Sequence, residues 1–228
     1  MLYFVRHGQS EANVLNEFSN RGFKHPLTPK GIDQSERLAA ELQGIPFKKV
    51  FSSPILRAIQ TASILTGRLG IPSFEVHEAL REHDVGELEG RSDEESWNRF
   101  FEMHAAWERP ENRDRRYHGG ESYAETVRRF TRFVRGVAES ADGAGRADAD
   151  FLFVGHGGLY IAAMPALAGN LTYDFTRTHP IDNADVILVE RDGGTFRCLR
   201  WGAAAVPADA RSAGEGHADG GSAQERPR

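Results

Sequence analysis

The sequence predicts an α/β fold: a three-layer sandwich with a mostly parallel central sheet, helices on both faces, and a small helical cap insertion. Three observations lead there. Short apolar runs alternate with longer amphipathic patterns, the order expected when crossover helices cover both faces of a parallel sheet. Two of those runs, residues 2–5 and 151–154, each end at a glycine-flanked histidine, in Arg6-His7-Gly8 and Gly155-His156-Gly157. The stretch at about 91–120 breaks the alternation and is polar and aromatic. A chain of 228 residues with 39% hydrophobic content is long enough for one well-buried α/β domain.

Each element has its own signal. Residues 2–5 read as a buried strand with His7 at its tip and Arg6 beside it. Gly8 permits a close turn, and residues 9–13 open a helix whose amide end attracts anions. Thr28-Pro29 supplies an N-cap and a first-turn proline for a helix to about Gln43, where Gly44 is the stop. A strand at 50–52 leads into Ser53-Pro54, which repeats that start for a helix ending at Gly70, with Ile55, Ile59, Ala62 and Leu65 on one face. After a strand at 74–76, Ser92 and Glu95 fit a capping box, and Ser122 and Glu125 fit a second. The latter opens an arginine-rich helix to about Glu139, with Val127, Phe130, Phe133 or Val134, and Val137 as its buried stripe. Residues 141–150 read as a loop, 151–154 as a strand, and a helix begins near Leu159. Strands at 186–189 and 196–201 complete the sheet.

One catalytic domain is expected over residues 1–202, with the cap insertion at about 91–120. Trp97, Phe100, Phe101, His104 and Trp107 would pack that cap over the sheet, and Phe23, Trp97 and Trp107 read as cap core more than as substrate platforms. Residues 203–228 carry almost no large apolar side chain and read as a disordered tail. The net charge of −5 gives no electrostatic reason to expect nucleic acid or an anionic membrane as a partner. Cys198, the single cysteine, excludes an intramolecular disulfide and a cysteine metal cluster. No apolar run approaches the ~20 residues of a membrane span, and the start of the chain lacks the marks of a signal peptide. The expectation is a soluble cytoplasmic protein with no metal and no cofactor; a homodimer stays open.

His7 alone would be no more than a strand cap. Residues 151–158 repeat its pattern, however, and if the two strands are neighbours both imidazoles face one crevice. Arg57 falls in the first turn of its helix, where a cation is misplaced against the helix dipole unless an anion lies there too. Glu82 sits in a glycine-punctuated, acidic loop at 80–90.

Five segments, in order, resemble the histidine phosphatase superfamily, also called the phosphoglycerate mutase-like family. They are residues 6–13, residues 52–61 with Ser53, Pro54 and Arg57, residues 80–90 with Arg81 and Glu82, Gly119-Gly120-Glu121-Ser122, and Gly155-His156-Gly157-Gly158. The resemblance implies that His7 is a nucleophile that becomes phosphohistidine. It implies that Arg6, Arg57 and His156 clamp the phosphoryl group, that Asn13 and Asn183 are polar contacts near it, and that Glu82 is the general acid/base. The chemistry suits those roles, since charge spread over a phosphoryl group in transfer is stabilised by preset cations. His25, His77, His83, His104, His118 and His179 match no catalytic position, and His83 reads as a loop or surface residue.

The family holds both hydrolases and mutases. Residues 20–28 lack the mutase-like Trp-x-Asp before Leu27-Thr28, and Arg115-Arg116 lie too close to Gly119 to match the mutases' paired arginine. The expected function is therefore a phosphomonoesterase acting on a small phosphorylated metabolite. A phosphoglycerate mutase is the alternative, and a catalytically silent phosphate- or phosphopeptide-binding module the third reading. Arg21 and Lys24, with Arg113, Arg115 and Arg116, are candidates for a second anionic group on the substrate.

Overall fold

A computed structural model describes residues 1–143, 145, 148–192 and 194–208. Six strands form one sheet: β1 (Leu2–Arg6), β2 (Phe47–Ser52), β3 (Glu75–Val76), β4 (Asp150–Gly155), β5 (Val186–Asp192) and β6 (Thr195–Trp201), in the order β3-β2-β4-β1-β5-β6. The first four are mutually parallel, β5 runs antiparallel to β1, and β6 antiparallel to β5.

Alternation along the strands divides the core in two. Val5, Val50, Leu152 and Val154 face one side and pack under α2 (Pro29–Glu41) and α3 (Leu56–Leu69). Leu2, Phe4, Phe51, Phe151 and Phe153 face the other and pack under α5 (Tyr123–Gly143) and α6 (Gly157–Leu167). Strands buried on both faces read as continuous apolar runs, which is what residues 2–5 and 151–154 show. The predicted three-layer α/β sandwich is the observed fold.

A third cluster forms the cap. Its helix α4 (Glu94–Ala106) brings Trp97, Phe100 and Met103 against Phe18, Val85, Leu88, Trp107 and Tyr117, and onto Tyr123 of α5 and Tyr173 of the short α7 (Tyr173–Thr178). Trp107 is fully buried, whereas Phe23 is 67% exposed and belongs to no core.

Local chemistry corrects four sequence-based boundaries. The N-cap of α4 is Asp93, not Ser92: its carboxylate accepts from both the N–H and the hydroxyl of Ser96. The helix after β2 begins at Leu56, leaving Ser53 free to serve the site. Ser122 and Glu125 do form a reciprocal capping box, but α5 continues past Glu139 to Gly143 because Ala138 and Ala141 extend its buried stripe through Phe130 and Val134. Residues 203–208, expected in a disordered tail, continue the packed chain: Ala204 pairs with Trp201, Val206 packs on the core, and Pro207 accepts from Asn170 Nδ2. The rest of that expected tail, 209–228, lies outside the described residues. Among the described residues no helix is long and apolar enough to cross a membrane.

The loop between β1 and the short helix α1 (Glu11–Leu15) is locked to α2 by backbone-on-backbone contact. A Cβ on Gly31 would lie 2.0 Å from the Gln9 carbonyl oxygen, and one on Gly8 would lie 2.4 Å from that of Gly31. Neither neighbour is a flexible side chain. Gly31→Ala is therefore expected to lower stability by about 2 kcal/mol or more, read as a reduced denaturant midpoint; an unchanged midpoint would mean that α2 moves aside freely.

Candidate active site

Register brings the predicted residues to one end of the sheet. Arg6 pairs with Gly155 and Ser52 with Val154, so the next residues on the three adjacent strands are His7, His156 and Ser53. The His7 and Ser53 amides extend the ladder onto Gly155 and Val154. Ligand sites of parallel α/β sheets form at this carboxyl end. The His7 and His156 ring centroids lie 5.1 Å apart.

Arg57, buried in the first turn of α3, holds these rings. Its Nε donates to His7 Nε2 at 2.9 Å, one terminal nitrogen donates to the Ser19 carbonyl at 2.6 Å, and the other lies 3.3 Å from His156 Nδ1. The Gly8 carbonyl, 2.7 Å from His7 Nδ1, can only accept, so the ring proton is on Nδ1 and the lone pair on Nε2. The same logic puts the His156 proton on Nε2, donated to Ser53 Oγ at 2.7 Å. Burial, then the charges of Arg57 and Arg6, holds His7 well below the ordinary histidine range. Burial and Arg57 do the same to His156. The Arg57 guanidinium is itself pushed down to about 10 by burial.

Arg6 donates to the Ile181 carbonyl at 2.6 Å, and its Nε is buried without a partner. Glu82 accepts from the His83 and Gly158 amides at 2.9 and 3.0 Å, the second at the N-terminus of α6. Both glycines of that turn have steric reasons: a Cβ on Gly157 would lie 3.3 Å from Arg6 Nε, and one on Gly158 2.9 Å from Glu82 Oε1.

These groups open on a cavity of about 580 Å³ between the sheet end and the cap, lined by Arg6, His7, Asn13, Arg57 and Glu82 on one side and Trp97, Phe100 and His104 on the other. His156 is fully buried behind Arg57 and is not on the wall. Asn183 also stands behind it, its Nδ2 bonding the His7 carbonyl at 3.1 Å and Asn13 Oδ1 at 3.3 Å. Arg21 and Lys24 do not line the cavity. Arg21 is bidentate on Asp84 and Lys24 is bonded to Glu17. Arg113 lies over the Tyr123 ring and Arg116 pairs with Glu125, so neither reaches the cavity. A larger groove of about 1410 Å³ along α5 is lined by Arg116 but by none of Arg6, His7, Arg57, Glu82 and His156, and Lys49, Arg81, Arg116 and Arg129 there are paired with carboxylates.

Sequence reasoning missed three contributors. Arg129, from the middle of α5, donates to the Ala79 and Glu82 carbonyls and to Glu121, fixing the Glu82 loop. Its signal is weak: Glu121 and Arg129 are eight residues apart, about two helical turns. Thr61 accepts from the Gly8 amide one turn beyond Arg57. His83, read as a loop or surface residue, is buried, because the cap covers the loop that carries it.

His7, His83, His104 and His156 are all buried, and burial lowers the pKa of each, that of His83 to about 3. In the unfolded chain each titrates near 6.5, so below that pH the unfolded state binds more protons and stability is lost. The slope is about 1.4 kcal/mol per pH unit for each imidazole that stays neutral when folded. The denaturant midpoint is expected to fall steeply from about pH 6.5 downward. A midpoint that stays constant to pH 5 would show that these rings protonate without penalty.

A family model described as the histidine phosphatase superfamily (branch 1) matches residues 2–204. The chain is 36% identical over 135 residues to a 2,3-bisphosphoglycerate-dependent phosphoglycerate mutase of Beijerinckia indica, a stretch that is 57% of this chain and 63% of that one. It is 37% identical over 100 residues to the same enzyme of Thermoplasma acidophilum, 44% of this chain and 50% of that one. The chain thus spans less than two thirds of the length of these curated relatives. Among solved structures, a mycobacterial glucosyl-3-phosphoglycerate phosphatase superposes with a TM-score of 0.74 at 26% identity, over 89% of this chain and 98% of that one. The α-ribazole phosphatase of Shigella flexneri, at 22% identity, shares the fold with a TM-score of 0.70 over 91% of this chain and 98% of that one. With the family match spanning the sheet, the cap and both strand-tip histidines, the chain belongs to the histidine phosphatase superfamily.

Proposed function

We propose that the protein is a phosphomonoesterase working through a phosphohistidine on His7. One observation carries this reading: an imidazole whose lone pair, on Nε2, faces the guanidinium of buried Arg57, with Arg6 on the same cavity wall and neither arginine in an ion pair among the described residues. His7 Nε2 attacks phosphorus, the P–O bond to the leaving group breaks, and Glu82 gives its proton to the departing oxygen. Water then attacks the phosphohistidine and returns a proton to Glu82, releasing phosphate and restoring the imidazole. Arg6 and Arg57 stabilise the charge on the phosphoryl oxygens throughout. His156 acts from behind, holding Arg57, and Asn13 is the polar residue on the wall beside them.

Hydrolysis is favoured over mutase chemistry by the other half of the cavity. Beyond Arg6 and Arg57, the cation that lines it is Arg177, which is paired with Glu108 and Asp174. The walls there otherwise include aromatic rings, neutral imidazoles, aliphatic side chains and the Glu17 carboxylate, which suit a leaving group without a second strong anion. The mutase reading keeps one specific support, the 36% identity to phosphoglycerate mutases over 57% of the chain.

Phosphate release from a panel of phosphomonoesters, with and without a bisphosphoglycerate primer, separates the two. Unprimed release is expected, and His7→Ala should reduce it by about a thousandfold or more. Primer-dependent isomerisation of a phosphoglycerate would instead establish the mutase. Release that needs an added divalent ion would oppose the metal-independent scheme.

Glu82→Gln is expected to slow alkyl esters by about a hundredfold or more and activated aryl phosphates far less, because an aryl oxide departs without protonation. Equal losses on both would remove Glu82 from the acid role.

A further inference from the structure

Glu89 is not on the cavity wall, yet one peptide group connects it to Arg57. That peptide joins Ser19 to Asn20. Its carbonyl, on Ser19, accepts from a terminal nitrogen of Arg57 at 2.6 Å. Its N–H, on Asn20, donates to the Glu89 carboxylate and lies 3.0 Å from each oxygen. The peptide is trans, so its carbonyl and its N–H leave opposite edges of one plane. Glu89 and Arg57 therefore hold the same plane from its two sides.

Only one orientation of that plane works. Turned over, it would set an N–H donor against the Arg57 donor and a carbonyl oxygen against a carboxylate. The other two partners of buried Arg57 are the His7 and His156 rings, so the Ser19 carbonyl is its backbone anchor. The rest of the loop is tied down separately. The Phe18 N–H donates to the Arg91 carbonyl at 2.8 Å, the Gly90 N–H to the Phe18 carbonyl at 2.7 Å, and Asn20 Nδ2 to the His83 carbonyl at 2.7 Å. Those bonds set the path of the loop, and the Glu89 bonds set which way the 19–20 peptide faces.

Glu89 is itself costly to keep there. It is half-buried, and burial pushes its carboxyl up against the pull of the Asn20 and Arg21 amides. The Arg21 guanidinium goes to Asp84 instead, and among the described residues Glu89 forms no ion pair. A carboxylate drawn from water without a counter-ion lowers stability. What it supplies in return is a charge-assisted bond, which also polarises the carbonyl at the far edge of the peptide.

We propose that Glu89 is a positioning residue for phosphoryl transfer: it orients and polarises the Ser19–Asn20 peptide, whose carbonyl holds the Arg57 guanidinium beside His7 Nε2. This deepens the phosphomonoesterase reading and rests on it, because Arg57 there stabilises the charge on the phosphoryl oxygens. Glu89 touches neither the substrate nor the reacting atoms.

The test is a double-mutant cycle. Glu89→Leu removes both acceptor oxygens and is expected to lower kcat/KM by about tenfold or more. The loss should be equal on alkyl and aryl phosphates, since the phosphoryl oxygens are common to both. With Arg57→Ala already in place, adding Glu89→Leu is expected to change aryl phosphate hydrolysis by less than about twofold. The same loss with and without Arg57 overturns the proposal, because general loosening of the loop would give that result; so does no loss from Glu89→Leu in the wild-type background. Glu89→Asp, which withdraws the carboxylate by one methylene, takes its place in the cycle if Glu89→Leu does not fold. Absence of turnover of any phosphomonoester by the wild type would instead remove the phosphomonoesterase reading. The positioning role is then judged by binding of inorganic phosphate. Weakening of about tenfold by the Glu89 substitution when Arg57 is present, but not in Arg57→Ala, supports it; equal weakening in both, or none in either, overturns it.

Discussion

Two guanidiniums that form no ion pair among the described residues, Arg57 buried and Arg6 partly so, are the constraint on which the rest of the site depends. Arg57 is buried, yet its three hydrogen-bond partners, His7, Ser19 and His156, are all neutral. Arg6 bonds a carbonyl and keeps one nitrogen unpaired. Among the described residues no carboxylate lies within salt-bridge distance of either guanidinium. Burying an unpaired charge is expensive, and a fold selected for stability alone would pair or expose both. The arrangement is understandable if an anion completes it. Burial, and after it the charge of Arg57, holds the proton off His7 and His156, which leaves His7 Nε2 unprotonated.

Holding such a site against its own repulsion requires rigid supports, and these come from the backbone. The sheet register sets His7, His156 and Ser53 side by side, and Gly8 and Gly31 clamp the first loop onto α2 with no room for a methyl group. The α6 N-terminus supplies an amide to Glu82, while Gly157 and Gly158 let a guanidinium and a carboxylate approach the same turn from two sides. Two neighbouring glycines with different steric reasons explain that turn better than flexibility does.

How much of this the sequence revealed depends on how local each interaction is. The strands, the strand-tip histidines and the Arg57 turn were legible because each depends on residues within a few positions of itself. The α4 cap was misassigned by one residue because Ser92 and Asp93 are both good caps, and the choice is made by Ser96, whose hydroxyl favours a two-oxygen partner. Arg21 and Lys24 looked available for substrate because nothing nearby in sequence pairs Arg21 with Asp84, which lies 63 positions away. His83 and Arg129 were unreadable for the same reason: their burial and partners come from the cap and α5 folding over a loop distant in sequence.

That contrast divides the cavity itself. The sheet half is built from strand ends and helix starts, so its residues fall in short motifs with strict spacing. The cap half is built from α4, α7 and the Glu82 loop, whose side chains meet only through tertiary packing of Trp107, Tyr117 and Tyr173. A change in the cap can therefore reshape its wall of the cavity while leaving the sheet end intact, because the two halves are built from different elements. Glu82 and His83 are where they join: adjacent residues, one bonded to the α6 amide beside the phosphate site, the other facing the cap. The peptide between them fixes the distance from the carboxylate bonded at the α6 N-terminus to the cap wall.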